Sequence, residues 1–122
     1  MSPDEAKLVD AAINAHGLWI GRLRGAIEAG SSDFKPEAVR ADNQCDFGRW
    51  LYGNFPASLR GTPVHEEIRA LHAKFHVHAA EVLRLATTGK KGEAVAAMDS
   101  RADFLRTSGA LVLKLTMLKS RY

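Results

Sequence analysis

Residues 62–89 read TPVHEEIRALHAKFHVHAAEVLRLATTG. Thr62 supplies a hydroxyl for an N-cap, and Pro63 fits the first helical turn, where its missing N–H has no partner to lose. Ile68, His72, Phe75, His76, Ala79 and Leu83 then recur at helical steps as far as Gly89. The spacing predicts one long amphipathic helix whose buried stripe is interrupted by two histidines. Upstream, Val9, Ile13, His16, Ile20, Leu23 and Ile27 repeat the pattern from Pro3 to about Ala29, with Gly30 as a stop. Downstream, Val95, Met98, Ala102, Leu105, Gly109, Val112 and Thr116 predict a third long helix, beginning after Gly92 and running toward Tyr122. Phe104, Leu111, Leu115 and Leu118 form a further stripe on it, expected to meet a partner.

Between the first two helices, Ser31 to Gln44 has no clean period and reads as a loop with a turn at Pro36 to Val39. Cys45 to Phe55 reads as a short helix, capped from Asp42 or Asn43 and stopped at Pro56. Short connections and these lengths predict an all-α fold over residues 1–122, an antiparallel four-helix bundle with a short helix carrying the cysteine. With 46% hydrophobic and 25% charged residues, the chain sits in the globular range and outside the disordered one.

The net charge of +3 comes from scattered residues, with no basic stripe and no aromatic platform for nucleic acid. Lys114, Lys119 and Arg121 read as cations at the negative end of a helix dipole. No stretch approaches the roughly 20 apolar residues of a membrane span, and the expected location is the cytoplasm.

Five histidines are present, and the informative ones replace apolar residues on buried stripes: His16 on the first helix, His72 and His76 on the second. Imidazoles four apart on a helix have Cβ atoms about 5–6 Å apart and can converge on one ion. Without a shared partner, each buried nitrogen costs about 1–3 kcal/mol. The lone Cys45 is open to three readings: apolar filler, nucleophile or metal ligand. As a ligand, its thiolate beside imidazoles favours zinc, and His16, Cys45, His72 and His76 make a closed tetrahedral set. A closed set has no position for a reactive water, so it argues for a structural or sensory site and against an enzyme. Asp42 and Asp46 are candidates to orient a ligand, Trp19 and Trp50 read as core aromatics shielding the site, and His65 and His78 read as surface residues.

These residues resemble the chemoreceptor zinc-binding domain family, a bacterial regulatory module attached to chemoreceptors and diguanylate cyclases. The likeness rests on His16-Gly17-Leu18-Trp19, then Cys45-Asp46-Phe47-Gly48-Arg49-Trp50, then His72-Ala73-Lys74-Phe75-His76, in order and at family-like separations. Phe47 departs from the family's usual leucine. The resemblance implies zinc on His16, Cys45, His72 and His76, a homodimer, and an output module, a chemoreceptor or diguanylate cyclase, in the same longer chain or in a partner. It implies control of chemotaxis or of cyclic-di-GMP, with zinc or oxidation of the zinc-bound cysteine as the signal. The alternatives are a hemerythrin-like di-iron bundle, which needs about five histidines and bridging carboxylates from all four helices, and a metal-free interaction bundle.

Overall fold

The computed structural model describes residues 2–121. Its helices are α1 (Pro3–Ala29), α2 (Pro36–Arg40), α3 (Asp46–Gly53), α4 (Pro63–Thr87), α5 (Lys91–Ala97) and α6 (Asp103–Arg121). α1 opens on a capping box in which Ser2 and Glu5 exchange side-chain and backbone hydrogen bonds, and it ends at Gly30 with φ 71°. α4 opens as its sequence predicts, with Thr62 accepting from the His65 N–H.

Four rods alternate in direction. Lys119 near the end of α6 pairs with Asp10 near the start of α1, and Lys114 pairs with Glu67 early in α4, so α6 runs antiparallel to both. α2 meets α4 at His76 through the Val39 carbonyl, whereas the end of α3 meets it at His65 through the Leu51 carbonyl. The segment from α2 to α3 therefore descends antiparallel to α4 as one broken rod. This is an all-α bundle ordered up, down, up, down, and the C-terminal lysines are tied to neighbouring helices rather than only to a helix end. The apolar core is one cluster, with Val9, Leu23, Ile68, Leu83, Leu111 and Leu115 at its centre.

Two expectations are corrected. The third long helix is broken: residues 98–102 turn between α5 and α6, because the Asp99 carboxylate accepts from the Arg101 N–H and offers the backbone an alternative to the helical ladder. The turn resets the helical phase, so Val95 and Met98 do not share a stripe with Leu105 and Val112. In consequence Phe104, Leu111, Leu115 and Leu118 face the core at 0–2% exposure and are not open to a partner. Whether α6 continues to Tyr122 lies outside the described residues. No helix among the described residues is long and apolar enough to cross a membrane.

Candidate metal centre

α4 carries His72 and His76 one turn apart, both facing inward and both buried. Cys45 arrives from the other side as the N-cap of α3, displacing Asp42 and Asn43 from the capping role expected of them. Its Sγ accepts from the Gly48 N–H at 3.3 Å. Cys45 Sγ lies 3.5 Å from His72 Nε2 and 3.7 Å from His76 Nε2, and the two nitrogens are 3.0 Å apart. A tetrahedral zinc with bonds of about 2.0–2.1 Å to nitrogen and about 2.3 Å to sulfur has edges of roughly 3.3 Å between nitrogens and roughly 3.6 Å from nitrogen to sulfur. The three ligand atoms thus already stand close to the corners of such a site.

Proton positions follow from the hydrogen bonds. The Val39 carbonyl can only accept, so the contact at 2.8 Å puts the His76 proton on Nδ1 and leaves the Nε2 lone pair facing Cys45 and His72. His16 is set the same way, since its Nδ1–H donates to the Ala12 carbonyl one turn earlier and its Nε2 is bare. His72 has no partner for Nδ1 at all. Burial pushes His72 down to about 3, helped by His76 and His16, and pushes His16 down to about 4. Burial lowers His76 too, against the opposing pull of the Val39 carbonyl. The imidazoles are therefore neutral near pH 7. The bare His76 Nε2, with His72 Nε2 and the Cys45 sulfur beside it, belongs to a donor set of two imidazoles and one cysteine, which suits zinc.

The structure brings three of the four expected residues together; Cys45, His72 and His76 have ligand atoms within 4.8 Å of one another. His16 stands beside them from α1, its ring centroid 6.3 Å from that of His72 and its ring packed edgewise on Phe75. Neither expected carboxylate orients a ligand. Asp42 accepts from the Tyr52 hydroxyl, and Asp46 is exposed near Arg49. The orienting groups are instead the Val39 and Ala12 carbonyls, which carry no signature of residue type and are invisible in a sequence. Phe47, in the place of the family's leucine, lays its ring against His72 with centroids 5.1 Å apart, and Trp50 is buried behind it. Trp19 is only half-buried, capped by Phe34 and Arg22. Gly48 is required: a Cβ there would lie 1.9 Å from the Asp42 carbonyl oxygen. His65 and His78 are both partly exposed, and His65 is further held by stacking on Phe55.

Neither a curated protein nor a solved structure matches the chain. The profile of one family, described as the chemoreceptor zinc-binding domain, matches residues 16–83, more than half of the chain. That span starts at His16 and takes in Cys45, His72 and His76, and so the chain belongs to the chemoreceptor zinc-binding domain family.

Proposed function

We propose that the chain binds one zinc ion through His16, Cys45, His72 and His76 and works as a sensory or regulatory domain of bacterial signalling. The observation that carries this reading is the convergence of Cys45 Sγ and the Nε2 atoms of His72 and His76 at near-tetrahedral separations. His16, standing beside the cluster on α1, is the fourth ligand in this reading. Zinc supplies a fixed positive centre; the residues around it bind it, keep it dry and hold each donor nitrogen unprotonated. In this reading the ion fastens α1, the start of α3 and α4 to one point, and its loss, or oxidation of Cys45, frees them to shift. The output module, a chemoreceptor or diguanylate cyclase, lies in cis or in trans. The domain works as a homodimer in the cytoplasm.

Metal analysis of protein purified without chelator tests the reading. The expected result is about one zinc per chain, lost or much weakened by alanine at His16, Cys45, His72 or His76 and kept by alanine at His65 or His78. A metal content near zero in the unsubstituted protein overturns it.

A further inference from the structure

A cavity of about 310 Å³ opens between α1 and α3, beside the metal centre. Leu8, Ala11, Ala15, Trp19, Phe47 and Phe75 give it apolar walls. The hollow exists because alanines occupy the stripe of α1 that faces it, where larger side chains would have filled the space. His16, Cys45, His72 and His76 line the same cavity, which therefore borders the metal centre directly. At the rim, the Arg22 guanidinium is pinned 5.0 Å over the Trp19 ring and 5.2 Å over the Phe34 ring, and it makes no ion pair among the described residues. Asp46, the acidic residue at the rim, stands 3.9 Å from Arg49 and is offset by it.

Apolar walls and an unpaired cation at the rim describe one kind of guest. We propose that the cavity is a binding site for a small organic carboxylate with an apolar body, seated beside the metal centre. At the protein packing density of about 0.74, the volume accommodates roughly ten non-hydrogen atoms. The proposal rests on the zinc reading in one respect, because bound zinc leaves the site with a net positive charge that an anion offsets.

The zinc-loaded full chain is titrated with phenylacetate, with 2-phenylethylamine to reverse the charge, and with acetate to remove the apolar body, while backbone amide shifts are followed by NMR. Phenylacetate is expected to give saturable shifts clustered in residues 8–22 and 45–50, with a Kd of about 1 mM or tighter. The amine and acetate bind at least tenfold more weakly. Arg22→Gln weakens phenylacetate binding tenfold, and Ala15→Leu, at an exposed position that tolerates the larger side chain, abolishes it while helicity and zinc content stay unchanged. Absence of saturable shifts, equal binding of the amine, or indifference to both substitutions overturns the proposal. Zinc is quantified in the same samples, so a chain that holds zinc yet ignores phenylacetate overturns the cavity alone. A chain without zinc overturns the metal reading, and the cavity then falls as well only if phenylacetate gives no shifts.

Discussion

At Gly48 a single hydrogen atom separates a formed site from a displaced one. The Asp42 carbonyl occupies the space where a side chain would begin, and the backbone from Asp42 to Cys45 is thereby pressed into the path that delivers the sulfur. Gly48→Ala pushes that backbone away. It is expected to cost about 1–3 kcal/mol, as overpacking does, and to weaken zinc at least about tenfold; chemical denaturation and competition with a chromogenic chelator read the two effects separately. The four candidate ligands were legible in the sequence because histidines on apolar stripes and a lone cysteine stand out by type. The groups that orient His76 and His16 were not, since main-chain carbonyls are common to every residue, and they came into view only when the fold brought Val39 and Ala12 to the imidazoles.

The elements differ in how plainly their sequences announce them. α1 and α4 are long, cleanly periodic and capped by Ser2 and Thr62, so their bounds follow from spacing alone. The α5–α6 break was hidden because Asp99 reads as an ordinary polar residue between two apolar stretches, and its effect depends on a local bond to the Arg101 backbone. His65 is hard to place from sequence for a related reason, since a helical face partly covered by another segment has no pattern of its own. His65 shows what that cover does: its Nε2–H donates to the Leu51 carbonyl, its Nδ1 accepts from the Gly61 N–H, and its ring lies flat on Phe55. It buckles the end of α3 to the start of α4. His65→Ala is therefore expected to keep zinc but lose about 1–3 kcal/mol of stability, whereas His72→Ala loses the metal; equal metal loss in both would contradict the separation of these roles.

Taken as a whole, the molecule has a large apolar core of its own, in which Leu23, Ile68, Leu83, Leu111 and Leu115 are buried at 0–1% exposure in one continuous cluster. Chelation is expected to leave most far-UV helix signal and to lower the Tm. The metal-free protein should then be sensitive to acid. His16 and His72 have folded values of about 4 and about 3, below the ordinary value of about 6.5 that they regain on unfolding. The unfolded chain thus takes up protons first, so stability is full above about pH 6.5 and falls as the pH drops toward 4, by on the order of 3 kcal/mol for His16 alone. Urea titrations between pH 7 and pH 4 check this, and a flat profile in the metal-free protein would count against it. The broken second rod carries a further consequence. Between α1 and α4 the chain is held by two short helices, one of five residues and one of eight, neither long enough to be stable by itself. Amide hydrogens in residues 36–53 should therefore exchange with deuterated solvent through openings far cheaper than global unfolding. Zinc should slow that exchange more there than anywhere in α6, making the second rod the part of the domain whose lifetime, rather than whose shape, reports the ion.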